Sequence, residues 1–348
     1  MKTLVKIILI INGALLLLGG ILLGLGLLLG GKTSFGFDWK NTNFQEAKYV
    51  DKEIDLDDFD EMEINLSSLE LIIEESDKSM VEYHVHEGTE PEIKVENNKL
   101  YITQPENKIS IQFGYWEEEY VHVYATKEQL AEINLSSGSI KIDDINVTGD
   151  VSTTSGSIAI NNSNGKNLNV KANSGSIKLN NMEYDSLTTD QTSGESKLTN
   201  IKSKTLDSKS NSGSRMLENV EAEEVSLSVT SGETKINNVK ADKINVTGGS
   251  GSIKAEDCTI GDFKAEATSG SVKVINSALN NADIKITSGE IRLELKGNEA
   301  DYGYDLDKNS GSIKINGTHY DDDLQKSGNT DNLLKIKTTS GSINIDIN

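Results

Sequence analysis

Eleven of the twelve Ser-Gly dipeptides fall in one recurring pattern, and seven consecutive intervals between these copies are 19 residues long. The glycines are Gly138, Gly156, Gly175, Gly194, Gly213, Gly232, Gly251, Gly270, Gly289, Gly311 and Gly341. The first interval is 18 residues and the last two are 22 and 30. A fixed period near twenty predicts a solenoid, because each repeat is one coil that cannot bury its apolar side alone. Counted from each glycine as position zero, apolar residues fall at +2 and +4 (Ile158 and Ile160, Val272 and Val274), at +7 (Ile201, Val220), and at +12, +14 and +16 (Val225, Leu227, Val229). Within each set the period is two, which is the signature of a strand. Two or three short strands per coil follow, with the Ser-Gly turn supplied by a residue that tolerates positive φ.

Position +6 forms a second turn column: Asp144, Asn162, Asn181, Asn200, Asn219, Asn238, Asp257 and Asn276. Stacked coils place these side chains about 4.8 Å apart, where amides can hydrogen-bond in a ladder. The serines before each glycine are expected to stack likewise. Glu63-Ile64-Asn65-Leu66-Ser67-Ser68 recurs as Glu132-Ile133-Asn134-Leu135-Ser136-Ser137, so irregular coils are expected from about residue 59. Thirteen of the eighteen aromatic residues precede residue 132, which suits a cap over the open end of a stack. The expected fold is all-β, a single-stranded β-helix or solenoid with coils of about 19 residues. The expected organisation is a cytoplasmic N-terminus and anchor at 1–31, a juxtamembrane linker at 32–54, an irregular β cap at 55–137 and regular coils at 138–348.

Residues 7–29 are almost unbroken apolar sequence behind Lys2 and Lys6. That pattern predicts one transmembrane helix with a cytoplasmic N-terminus, an extracytoplasmic β domain, and Phe35, Phe37 and Trp39 at the interface. A cleaved signal peptide is the competing reading; the run is long for one and no small-residue cleavage site follows. The chain has net charge −21, and beyond residue 31 the charge is −23, because Lys2 and Lys6 are the only charges before it. So acidic a surface argues against nucleic acid and against lying flat on an anionic membrane. Cys258, the sole cysteine, falls at an inward +7 position and reads as core.

The recurring Ser-Gly-[Ser/Glu] coils, the acidic strands before them and the Gly/Leu-rich start together resemble the bacterial DUF4097 family of putative adhesins, also called toastrack domains. The resemblance covers about residues 55–348. It implies an extracytoplasmic β-helix-like domain of the cell envelope, often Gram-positive, with links to envelope-stress systems. It implies no catalytic residues.

Position +3 carries a cation in eight coils: Lys141, Lys178, Lys197, Lys235, Lys254, Lys273, Arg292 and Lys314. Stacked, they would form an outward basic stripe able to track a polyanion such as teichoic acid. The alternative is a solubilising face, partly neutralised by Glu195, Glu233, Glu290, Glu218, Glu256 and Glu294. The +2 column turns polar at Ser196, Arg215 and Thr234, implying a polar notch, a soft spot in the rod, or an Arg215 that reaches out to solvent. His84 and His86 could begin a zinc site, but alternation with Val81, Tyr83 and Val85 points both outward. The acidic run from Asp51 to Glu63 lacks the spacing of a calcium loop. No metal or cofactor is therefore expected. Phe113, Tyr115, Trp116 and Tyr120 are candidates for a partner-contact loop.

The expected function is a non-catalytic binding or scaffold protein of the envelope, whose partner is an envelope membrane protein or a cell-wall polymer. An adhesin for wall polymer or glycan is the alternative. A polysaccharide-cleaving enzyme ranks last, since no cluster of acid, base and cation breaks the repeat pattern.

Overall fold

The computed structural model describes residues 2–29, 35–38, 43–46, 48–105, 110–113 and 117–348, with side chains at 12–26, 28–29, 48–105 and 117–348. The chain opens with a helix, α1 (Lys2–Leu28). Asn12 and the glycines Gly13, Gly19, Gly20, Gly24 and Gly26 thin its apolar surface. Among the described residues no helix is long and apolar enough to cross a membrane. The expected transmembrane segment and the single-pass localisation built on it are corrected accordingly. The expectations for Lys2, Lys6, Phe35, Phe37 and Trp39 lie outside the described side chains.

Two short strands follow, β1 (Phe35–Asp38) and β2 (Asn43–Glu46), paired antiparallel. Next come β3 (Tyr49–Asp55), β4 (Glu61–Ser68), β5 (Glu70–Glu75), β6 (Met80–His86), β7 (Glu92–Glu96) and β8 (Lys99–Thr103). Strand β9 (Ser110–Phe113) returns to β1, completing a small three-stranded sheet. Every later strand joins one continuous sheet of seventeen with β3–β8. These are β10 (Tyr120–Ala125), β11 (Glu128–Ser137), β12 (Ile140–Asp143), β13 (Asn146–Ser155), β14 (Ile158–Ser174), the long β15 (Ile177–Glu256) and β16 (Thr259–Leu295), then β17 (Tyr302–Ile315), β18 (Thr318–Tyr320), β19 (Leu324–Lys326) and β20 (Asn332–Ile347).

The sheet curls into a solenoid because its strands pair parallel, one repeat apart. Ile158 lies on Ile177, and Ile253 on Val272. Burial alternates along each strand, and the inward set forms one core running the length of the stack, from Phe59 to Ile347. The glycine is required twice over, as Gly213 shows. Its φ is 122°, and a Cβ there would sit 1.9 Å from the carbonyl oxygen of Gly194 in the next coil. No other residue fits such a contact.

The +6 column adopts left-handed backbone throughout, with φ between 50° and 60° from Asp144 to Asn276. Each asparagine amide donates to the coil before it: Asn162 to Asp144 at 2.9 Å, Asn181 to Asn162 at 2.8 Å, Asn200 to Asn181 at 2.9 Å, Asn219 to Asn200 at 3.0 Å and Asn238 to Asn219 at 2.7 Å. All donors therefore point one way. A carboxylate can only accept, so Asp144 heads the ladder and Asp257 restarts it by accepting from Asn276. In the serine column, Ser269 donates to Ser250 at 3.3 Å.

At both ends coil order departs from chain order. The coil of β11 and β12 rests on β4 and β5, so Ile133 lies on Ile64 and Ile140 on Leu71. Beyond β4 and β5 come β8 and β10, parallel to them; β7 then pairs antiparallel with β8, β6 antiparallel with β10 and β3 antiparallel with β6. At the far end β20 pairs with β16 on one side, Gly289 opposite Gly341, and with β17 on the other, Gly341 opposite Gly311. The last segment is thus inserted between two coils that precede it. Strands β18 and β19 fold back antiparallel on β17 and cover the outer edge.

Candidate functional site

Positions +8 and +10 flank an inward +9 residue, so their side chains stand in two outward columns along the stack. The inward residues are mostly small where the columns are most charged: Ser203, Ala222 and Ala241, with Gly165 and Tyr184 one end along. A groove of about 1020 Å³ runs over this face from the Asn164 coil to the Asn280 coil. Its axis lies across the strands, along the rod.

The +8 column reads Glu183, Lys202, Glu221, Lys240, and the +10 column Asp185, Lys204, Glu223, Asp242. Neighbouring coils thus mostly alternate in sign. Parallel in-register stacking would set like charges about 4.8 Å apart, and alternation turns that repulsion into ion pairs. Lys202 meets Glu183 at 2.8 Å, Lys204 meets Asp185 at 2.7 Å, and Lys240 meets Glu221 at 3.2 Å. The hydrogen-bonded carboxylates hold Lys202 and Lys204 above the ordinary lysine range. Among the described residues, Glu223 and Asp242 have no ion pair within 4 Å. The groove therefore offers carboxylate acceptors and ammonium donors in rows, its five carboxylates and three lysines leaving a net charge of −2. Sequence reasoning passed over these columns; the signal was an alternation of sign at every second coil.

The +3 cations do point outward, yet six of the eight meet a carboxylate. Lys141 lies 2.6 Å from Asp143, Lys197 3.5 Å from Glu218, Lys235 2.9 Å from Glu233, Lys254 2.5 Å from Glu256 and Lys273 2.9 Å from Glu290; Arg292 pairs with Glu294. Among the described residues, Lys178 and Lys314 have no ion pair. The column is a row of compensated pairs rather than a bare basic stripe.

Tyr120 lies on β10, where its hydroxyl donates to Glu82 at 2.8 Å; that carboxylate pushes its pKa up to about 12. The Phe113 side chain, Tyr115 and Trp116 fall outside the described residues. His84 does not face open solvent as alternation implied. Its side chain is 13% exposed, between Asp51 at 2.7 Å and Glu117 at 3.2 Å, with Tyr49 stacked at 4.8 Å and Tyr120 at 6.0 Å. The edge strand β3 and the residues after 116 supply its covering, which local alternation cannot foresee. His122 meets Glu74 at 3.4 Å and stacks on Tyr124. Among the described residues no group of three or more His, Cys, Asp or Glu is placed to hold a metal ion. Cys258 is buried, its thiol directed at the Glu256 and Ile236 carbonyls and its pKa raised by burial.

A family model described as Toastrack DUF4097 matches residues 59–214 and 183–346, two overlapping spans that together take in most of the chain. No curated protein matches. Among solved structures, a putative adhesin from Parabacteroides distasonis ATCC 8503 is 15% identical, with 86% of this chain and 96% of that one covered and a TM-score of 0.45. A putative adhesin from Bacteroides fragilis NCTC 9343 is 12% identical, covering 86% and 97%, with a TM-score of 0.34. A putative lipid binding protein from Parabacteroides distasonis ATCC 8503 is 10% identical, covering 86% and 96%, with a TM-score of 0.25. At such values the neighbours carry nothing about a ligand, and the family match is the basis of assignment. The chain belongs to the Toastrack DUF4097 family.

Proposed function

We propose that this Toastrack chain is a non-catalytic binding scaffold whose groove along the +8 and +10 columns takes an extended, polyhydroxylated polymer of the kind found in cell walls. The observation that carries this reading is the groove's direction. It crosses successive coils at one spacing, so in the +8 column the same charge recurs at every second coil, every ~10 Å, as a repeating polymer would need. Paired carboxylates and ammonium groups suit hydroxyls, which both donate and accept. A groove of net charge −2, on a chain of net charge −21, disfavours a polyanion. Catalysis by an amine would call for a depressed lysine pKa, and Lys202 and Lys204 are shifted the opposite way.

The test is binding of the purified chain to an array of neutral and anionic cell-wall polysaccharides. A groove variant carries Lys202→Glu and Lys240→Glu; a control carries serine at the eight +3 cations. Binding to neutral polymers that is lost in the groove variant and kept in the control supports the proposal. Salt-sensitive binding to anionic polymers, lost only in the control, transfers the site to the +3 column. No binding by any form sinks the polymer reading and leaves an envelope membrane protein as the partner to seek.

A further inference from the structure

Buried polar residues occur at several levels of the stack, among them Thr153, Ser163, Ser277 and Thr338, but they cluster at one. In the +2 column Ile177 and Ile253 enclose Ser196, Arg215 and Thr234, all buried. Facing them, the +14 and +16 positions hold Thr189, Gln191, Ser208 and Ser210, where other coils carry Val170, Leu227 or Val246. Thr189 donates to Ser208 at 2.6 Å, and Gln191 donates to the Gly175 carbonyl at 2.6 Å. The remaining groups are not satisfied by one another.

Arg215 is 1% exposed, so it does not reach out to solvent. Its Nη2 donates to the Ser228 carbonyl at 3.2 Å. Among the described residues its Nε and Nη1 have no hydrogen-bond partner, nor do Ser196 Oγ, Thr234 Oγ1 or Gln191 Oε1. Buried polar atoms nearly always have partners, and a buried cation without a counter-charge is among the costliest arrangements known. No carboxylate pairs with the guanidinium. Asp207 is near enough to act on it through space, but it is half-exposed and meets Lys209 at 3.2 Å. Burial outweighs Asp207 and lowers the Arg215 pKa to about 10, which still leaves it a cation at neutral pH.

We infer that Arg215 is the anchor of an internal anion site, which takes a small monovalent anion of the halide class between successive coils. Nε and Nη1 supply the charge-assisted donors. Ser196 and Thr234 lie in the same column on the coils to either side, one strand spacing of about 4.8 Å from the Arg215 backbone, and their hydroxyls can donate as well. Room comes from the same substitutions, since serine and threonine replace the isoleucine of other coils. A larger or polyvalent anion would not pass into a closed coil stack. The site is separate from the outward groove, so its fate does not depend on the polymer reading.

The experiment is thermal unfolding of the full chain at fixed ionic strength, with sodium gluconate replaced stepwise by chloride or bromide. A ligand bound only to the folded state raises Tm in proportion to the logarithm of its concentration once the site is filled. The expected result is a Tm that rises with halide in the native sequence and is flat in Arg215→Leu. In Thr234→Val the half-saturating halide concentration should increase roughly tenfold, the loss of one hydrogen bond to a charge. Bromide-soaked crystals of the full chain should show anomalous density within hydrogen-bond distance of Arg215 Nε or Nη1. A halide response equal in Arg215→Leu and the native chain overturns the inference, as does ordered water alone at that position. If Arg215→Leu fails to fold, Thr234→Val and the bromide density decide the question.

Discussion

The middle of the stack and its two ends are made of the same strand chemistry but obey different rules of order. From Gly156 to Gly289 each coil rests on the one before it in the chain, and identical positions lie on each other. At the ends, neighbours are remote: Leu135 lies on Leu66, and Ile343 lies between Ile291 and Ile313. Local stacking builds a surface that repeats, which is what a linear ligand needs. Remote stacking makes the stack finite, because the outermost strands run antiparallel and turn the last open edge into a hairpin. An open parallel edge would invite another chain.

The largest way to break this contrast is at a turn glycine. Gly213→Ala places a Cβ against the Gly194 carbonyl in a backbone region that L residues avoid, and should cost ~4 kcal/mol or more by urea unfolding. Gly88, with φ 88° but nothing within 4 Å of the added Cβ, should cost no more than ~1–2 kcal/mol when changed to alanine. If the two variants were equally stable, the close approach between coils would not be what fixes the glycine.

Tyr184 is next. Its buried hydroxyl donates to the Val147 carbonyl at 2.7 Å and meets Ser163 at 2.6 Å, and burial is the main cause of a pKa pushed up to about 12. The folded state therefore keeps the proton that the unfolded chain releases near pH 10. Its contribution is fully present below pH 10 and is lost as pH rises to about 12, on the order of 3 kcal/mol. Melting temperatures across that window should fall less steeply in Tyr184→Phe than in the native chain. A parallel decline in both would exclude this tyrosine as a source.

Breaking the turn ladder should weigh less. Asn200→Leu removes the bond to Asn181, the bond from Asn219 and a residue tolerant of φ 54°, for about 2 kcal/mol. Asn200→Asp keeps the turn and still accepts from Asn219, so it should lose about half of that. Equal stability of both variants with the native chain would contradict the register. The smallest effect is expected for Lys202→Ala. The pair with Glu183 is exposed, and its loss should leave the urea midpoint essentially unchanged while weakening polymer binding.

The regular coils were legible because one period fixed everything at once: inward isoleucines, turn glycines and the asparagine column. The repeat of Glu63–Ser68 in Glu132–Ser137 even marked two segments that the structure pairs directly. Coil order at the far end was not legible. The motif around Gly341 is the same as that around Gly311, and nothing local says which of them lies on Gly289. The length of the intervening loop permits either. Of the site, the outward +3 cations could be placed from alternation, but their pairing could not, because Lys197 finds Glu218 and Lys273 finds Glu290 in neighbouring coils. Arg215 was marked as anomalous, and only the packed coils show that it stays inside.

The insertion of the last segment can be tested by disulfide mapping, since Cys258 is buried and does not compete. Lys285 pairs with Lys337, and Asp307 pairs with Lys337 from the other side. Adjacent strands bring Cα atoms to about 4.8 Å, within disulfide reach, whereas coils two apart are about 10 Å distant and beyond it. Under mild oxidation Lys285→Cys with Lys337→Cys should form the bond, and Lys285→Cys with Asp307→Cys should not. The reverse result would place β17 directly on β16 and contradict the closed, intercalated stack.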